Sequence, residues 1–288
     1  MYINVTAKFI KSLVNPPVNI HCWGGFASQL NGLSLAHRIS DKFINKKVVL
    51  IIHEGGRHNA KYELEDLDLS SFNIKLVTDS NITEYRLKNN SWIKYHKILK
   101  FFLFKIGVYS NCDSILAIQS LKPWIATIRG SYNVVPTDNF LKFLHSQIVS
   151  TDKEKVYNVV IHYRLGDLIN LKEKDPISTP TLIELLESIE TKQLVNNIIV
   201  LTSDPEIAIG LFEKSNPRIA KKTFFRYARP SEVLSFGMLG EFFIGTNSKI
   251  SLWAIWLRTM NNSTNNYLPK DFDSLYKDQF QNQKPTYY

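Results

Sequence analysis

Hydrophobic and polar positions along the chain follow two different periods. Short apolar runs bounded by Gly, Pro, Asn or Asp read as buried strands, and apolar residues three and four apart read as helices. In the first half the pattern predicts a strand over Pro17–Cys22, a Gly24-Gly25 turn and an amphipathic helix over about Ser28–Phe43. A second strand, Val48–His53, runs into the glycine turn "HEGGRHN", and Asn73–Val77 is a third. The stretch "SWIKYHKILKFFLFKIG" at 91–107 reads as helical. The second half restarts the theme. Strands are expected over Tyr157–His162, Asn197–Thr202 and Glu241–Gly245, with helices over Thr181–Glu190, Pro205–Lys214, Pro230–Leu239 and Asn247–Met260.

Strands and helices alternating in this way predict an α/β protein with parallel sheets. The polar span 151–155 separates the halves, so domains are expected at 1–150 and 151–288. The tail from Asn261, rich in Asn, Asp, Lys and Tyr, is expected to pack back on the first domain or to stay mobile. Two such halves suggest nucleotide-binding-like domains facing a cleft. In open α/β sheets ligands sit outside the carboxyl ends of the strands, so chemistry is sought just after each strand.

Composition sharpens the picture in three places. With 288 residues, 44% hydrophobic and 21% charged, the chain has the makings of a substantial core. Its two cysteines, Cys22 and Cys112, have neither metal-ligand spacing nor a disulfide framework, which suits a reducing cytosol. Residues 1–13 alternate polar and apolar, unlike a signal peptide, and no apolar run approaches the ~18 residues of a spanning helix. The expectation is a soluble, cytoplasmic protein.

A formal net charge of +9 asks for an anionic partner: nucleic acid, an anionic membrane surface or a phosphorylated substrate. The basic residues are dispersed, with no zinc-finger spacing or RNA-recognition signature, which argues against nucleic acid. The stretch at 91–107 sets Lys94, Lys97, Lys100 and Lys105 beside Ile98, Phe101, Phe102 and Phe104. It is either a core helix with a lysine face or a peripheral contact for the anionic inner membrane leaflet.

Four strand-to-helix corners gather polar groups. In "VVIHYRLGDLIN", residues 159–170, a buried strand leads into His162, Arg164, Gly166 and Asp167. Arg164 offers a donor fork suited to phosphate, or else pairs with Asp167 as a surface ion pair of little weight. In "WGGFASQLNGLSLAHRI", residues 23–39, Gly24 and Gly25 let backbone approach a ligand at a helix start, with Gln29 and Asn31 close by. A plain strand–helix turn explains the glycines equally. In "IIVLTSDPE", Ser203 and Asp204 precede Pro205, either as a helix cap or as a carboxylate for a nucleotide's ribose or base. In "FFIGTNSKISLWAIWLR", Asn247 or Ser248 is a cap and the Ser251 hydroxyl lies in the first turn, where it could meet a phosphate. Trp253, Trp256 and Leu257 read as that helix's buried face.

Taken in order, these corners resemble the fucosyltransferase superfamily, especially bacterial α-1,2-fucosyltransferase-like enzymes. That family carries a GGxGNQ loop, an HxRRxD or HxRxGD motif, a serine–aspartate strand end and an SNSTFSWWAAWL-like helix. The counterparts are residues 24–29, 162–167, Ser203-Asp204 and 246–257. The resemblance covers about 20–40 and 157–258, departing at Ser28, where Asn is usual, and at Leu165, where a second arginine is usual.

The resemblance implies a glycosyltransferase-B fold, two Rossmann-like domains facing a cleft, with the acceptor on the first domain and the nucleotide sugar on the second. It implies inverting transfer from a GDP-sugar, GDP-fucose above all, to a hydroxyl of a glycan such as a lipid-linked O-antigen or capsule precursor. No cofactor is implied, and the lack of a suitable Asp-x-Asp agrees with metal-independent chemistry. By the same token Arg164 grips the diphosphate and Asp204 contacts the nucleotide. Gly24, Gly25, Gln29, His162, Asp167, Ser203, Asn247, Ser248 and Ser251 complete the donor site. The general base stays open, with Glu54 and Asp175 ahead of Glu173, His53 and His58.

Overall fold

A computed structural model of the chain describes residues 18–42, 47–54, 61–79, 109–110, 127–129, 135–148, 157–165, 177–270, 272 and 285–288. It divides into two compact units, Met1–Phe140 and Leu141–Tyr288. Both are α/β, and every strand pairing described is parallel.

The first unit contains β1 (Val18–Trp23), α1 (Phe26–Lys42), β2 (Val48–His53), β3 (Ile74–Asp79), β4 (Tyr109–Ser110) and β5 (Thr127–Arg129). Its sheet runs β3-β2-β1-β5-β4. The helix lies close on β1 because Gly32 presents no side chain; a Cβ there would fall on the buried Cys22 Sγ. Burial pushes the Cys22 thiol up to about 12, so it packs as a small hydrophobe rather than a nucleophile. The helix begins at Phe26, ahead of the expected Ser28, since the Ser28 and Gln29 amides already bond to the Gly25 carbonyl.

The division between units falls within helix α2 (Asp138–Ile148), an element whose apolar spacing at Phe140, Leu141, Leu144 and Ile148 matches its buried side. There follow β6 (Val159–His162), α3 (Thr179–Glu190), β7 (Ile198–Thr202), α4 (Pro205–Ser215), α5 (Pro217–Lys221) and β8 (Thr223–Tyr227). Then come α6 (Pro230–Leu239), β9 (Phe242–Gly245), α7 (Lys249–Met260), β10 (Asn266–Leu268) and β11 (Thr286–Tyr287). The second sheet runs β11-β10-β9-β6-β7-β8.

The chain therefore winds outward from β6 through β7 to β8, then returns to place β9 on the other side of β6. That is the doubly wound order, with its reversal between β6 and β9. Strands β6, β7 and β9 are buried along their whole length, as parallel strands covered on both faces must be. Ile161, Val200 and Ile244 pack with Leu182, Leu186 and Phe212 on one face. On the other, Phe243 and Ala254 both lie against Gly237.

Among the described residues of the tail, β10 and β11 extend the second sheet beyond β9. The stretch 91–107 lies outside the described residues, and among those described no helix is long and apolar enough to cross a membrane.

Arg258, at the end of α7, is fully buried and its bonding partners are neutral. Its guanidinium donates to the carbonyls of Gly237 and Gly240, each at 2.6 Å, to that of Glu241 at 3.0 Å and to Asn266 Oδ1 at 2.5 Å. Burial lowers its pKa to about 10, leaving it charged at neutral pH. One side chain thus ties the α6–β9 turn to α7 and β10. Arg258→Met leaves several buried carbonyls without donors, at roughly 1–3 kcal/mol for each such group. Urea unfolding of the variant should show a loss of at least about 3 kcal/mol; a loss below about 1 kcal/mol contradicts the role of this clasp.

Candidate functional site

The reversal between β6 and β9 is where a doubly wound sheet opens to a ligand, because the flanking crossovers leave on opposite faces. Here His162 and Gly245 are register partners at the two carboxyl ends. Thr246, the residue after β9, joins them: its hydroxyl donates to the His162 carbonyl at 2.8 Å and accepts from the Arg164 amide at 3.1 Å. Behind it, Ser251 Oγ accepts from the Thr246 amide at 3.2 Å and shares a 2.9 Å hydrogen bond with His162 Nδ1. Gly245 is what lets α7 come so near, since a Cβ there would stand 2.5 Å from Ser251 Cβ.

This layering sorts the expected residues. Ser251 is fully buried and His162 nearly so, and the Ser251 oxygen is committed to the strand ends. It braces the corner. Ser248 is also buried and caps α7, accepting from the Ile250 amide at 3.3 Å. Arg164 and Asn247 are the half-exposed members, with Arg164 Nη1 donating to the Asn247 carbonyl at 3.4 Å. A guanidinium is thus held over the α7 N-terminus, where the helix dipole also favours an anion. Trp253 and Trp256 form the buried face expected of α7, with their rings edge to face at 5.0 Å.

Leu165, standing where a second arginine was anticipated, is fully buried in the α3 side of the core. Its side chain belongs to the same apolar cluster as Leu182 and Leu186, so this position serves core packing. Sequence reasoning missed Thr246 as a bridging group and Tyr288, whose hydroxyl donates to the Gly245 carbonyl at 3.0 Å. A threonine next to the expected Asn247 was a usable signal; nothing in the sequence places Tyr288 near β9.

At the end of β7, Asp204 stands at the N-cap of α4, yet its side chain makes no capping bond. Its amide instead donates to Thr202 Oγ1 at 3.2 Å. Of the two explanations for Asp204, capping is therefore not the one the geometry uses. Ser203 beside it is exposed. Gly166, Asp167 and Asp175 lie outside the described residues.

The glycine corner of the first unit behaves differently. Gly24 adopts φ +95°, a turn conformation that favours glycine. The α1 N-terminus already holds an anion of the chain's own: Glu63 Oε2 accepts from the Phe26 amide at 2.7 Å, and its carboxylate lies over Gly25. Gln29, expected at the donor, is fully buried. Its amide donates to the Lys61 and Gly24 carbonyls at 2.6 and 3.1 Å and accepts from the Glu63 amide at 3.0 Å. These bonds fasten the 61–63 segment to the helix. Glu54 Oε1 accepts from the Tyr62 amide at 3.1 Å, part of the same fastening. The described site residues of the second unit thus converge on one sheet edge, while Gly24, Gly25, Gln29 and Glu54 gather around Glu63. Among the described residues no group of three or more His, Cys, Asp or Glu side chains is placed to hold a metal ion.

No family model matches the chain, and no curated protein matches it. Similar solved structures include two crystal forms of POFUT1 in complex with GDP-fucose. One is 12% identical, covering 94% of this chain and 97% of that one at a TM-score of 0.47. The other is 10% identical, covering 95% and 97% at 0.44. A glycosyl transferase family 9 protein from Veillonella parvula DSM 2008 is 10% identical, covering 89% of this chain and 81% of that one at 0.41.

Glu63 yields a pH test of the first-unit corner. Burial holds its carboxyl above the ordinary range, and the bond from the Phe26 amide offsets this only in part. A carboxyl with a raised folded-state pKa stabilises the fold below its unfolded pKa, and that stability is lost as pH rises through the folded value. Glu63→Gln keeps an oxygen for the Phe26 amide without the charge. The melting midpoint of Glu63→Gln minus that of the parent should therefore become more positive between about pH 4 and about pH 8. A difference that stays flat or turns more negative contradicts the assignment.

Proposed function

We propose that the chain is an inverting glycosyltransferase that binds a GDP-sugar, GDP-fucose in particular, at the carboxyl edge of its second sheet and moves the sugar to a glycan hydroxyl. The observation that supports it most is the convergence of Arg164 and the α7 N-terminus on the β6–β9 reversal. Two α/β units are also the parts from which a glycosyltransferase-B fold is made, with the first unit on the acceptor side.

In the proposed reaction the acceptor oxygen attacks the anomeric carbon and forms the new glycosidic bond. The bond from that carbon to the diphosphate oxygen breaks, and GDP leaves with the electron pair. Arg164 and the helix-terminal amides offset the charge that grows on the diphosphate, which lowers the barrier without a metal. The hydroxyl proton passes to a carboxylate, Glu54 or Asp175. Asp204, uncommitted to capping, accepts from the guanine or ribose. The acceptor is a lipid-linked O-antigen or capsule precursor, met in the cytoplasm at the inner membrane face.

A second choice of donor, another nucleotide sugar on the same fold, is favoured by one observation. Leu165 supplies core packing where the family pattern supplies a second cation.

Thermal-shift measurements with GDP, UDP, ADP and CMP separate these. Selective stabilisation by GDP is expected, about 2.7 kcal/mol at one hundred times Kd. Arg164→Ala should weaken GDP binding about 10- to 100-fold by removing charge-assisted bonds. Stabilisation by UDP, ADP or CMP instead supports the alternative donor, and no response to any nucleotide contradicts both.

A further inference from the structure

Five large apolar side chains among the described residues are exposed: Leu194, Ile207, Ile209, Phe224 and Tyr227. Isolated surface hydrophobics are ordinary, so position decides which of them means anything. Tyr227 is the one that ends a strand at the carboxyl edge of the second sheet, and it is 60% exposed. Its register partner is Thr202, the last residue of β7, whose hydroxyl accepts from the Asp204 amide.

Alternation along β8 puts Tyr227 on the same face as Phe225. The Phe225 ring meets Phe212 of α4 edge to face at 5.2 Å, which fixes that face as the α4 side. Tyr227 therefore stands one pleat beyond Phe225, level with the start of α4, where Asp204 keeps its carboxylate out of the cap. An exposed ring and a carboxylate uncommitted to capping thus share the end of the β7–β8 pair. From β6, whose carboxyl end leads into Arg164, to β8 is two strand spacings, about 10 Å. That matches the reach of a nucleoside diphosphate from its phosphates to its base.

We infer that Tyr227 is the stacking platform for the donor's nucleobase, an inference that rests on the function proposed above. With the diphosphate at Arg164, the nucleoside crosses the β7 end and its base lies on the Tyr227 ring. Stacking accepts any base, because every base has a π-face. Tyr227 accordingly supplies affinity for the nucleoside, and the choice among bases falls to hydrogen-bonding groups such as Asp204.

Calorimetric titration of the full chain with GDP and with inorganic pyrophosphate tests this in the parent, Tyr227→Leu, Tyr227→Phe and Arg164→Ala. Tyr227→Leu should weaken GDP binding about 5- to 100-fold, as loss of one base–aromatic stack does, while Tyr227→Phe stays within about twofold. Pyrophosphate affinity should be the same in the parent and both Tyr227 variants. An unchanged GDP affinity in Tyr227→Leu, with Arg164→Ala still weakened, overturns the platform and leaves the donor site standing. Equal losses for GDP and pyrophosphate also overturn it, since they report a disturbed edge instead of a lost stack. Failure of the parent to bind GDP removes the proposed function itself.

Discussion

The Thr246 hydroxyl carries the connection on which the second unit's site depends. It donates to the His162 carbonyl and accepts from the Arg164 amide, so one oxygen joins strands on opposite sides of the sheet's reversal. A reversal leaves a crevice because the chain departs from its two strands toward opposite faces. Without a bridge, the backbone groups just past β6 and β9 would need other partners in a buried place. With it, the crevice has a fixed floor, braced by Ser251 and His162 and by the Tyr288 hydroxyl on the Gly245 carbonyl. Arg164 and Asn247 are the half-exposed groups on that floor.

The two units treat their strand-to-helix corners in opposite ways. In the first, the helix N-terminus is occupied by the chain's own Glu63, and Gln29 locks the segment that carries it. In the second, the helix N-terminus receives a neutral serine cap and has a guanidinium beside it. Capacity for an external anion therefore concentrates at α7. The formal charge of +9 says only that some anion suits this chain; among the described corners, electrostatics favour α7 over α1 for the proposed donor.

Much of this was legible in the sequence, and the residues that were not share a cause. Strands β6, β7 and β9 announced themselves as continuous apolar runs, since both of their faces are covered, and β2 did so although Val49 and Ile51 are only partly buried. Strand β8 did not, because it is an edge with Phe224 and Tyr227 exposed, and its Thr-Phe-Phe-Arg-Tyr sequence has no clean period. Helix α2 went unpredicted, although Phe140, Leu141, Leu144 and Ile148 recur at helical spacing. The tail strands were hidden by polar composition and owe their place to β9.

At the candidate site, residue types marked the strand-to-helix corners but not the depth of each side chain. Ser251, Ser248 and Gln29 have the chemistry of ligand contacts, and all three are buried with hydrogen bonds to backbone groups. Which hydroxyl faces outward depends on the approach of α7, set by Gly245, and on the α1 packing set by Gly32, distances that no linear pattern contains.

The central claim is that a nucleoside diphosphate binds the second unit at the β6–β9 reversal. Hydrogen–deuterium exchange with and without saturating GDP tests it directly. Slower exchange is predicted at the amides of 163–165 and 245–251, with 26–29 unchanged because Glu63 already occupies that helix start. Protection confined to 26–29, or none at 245–251, contradicts the account.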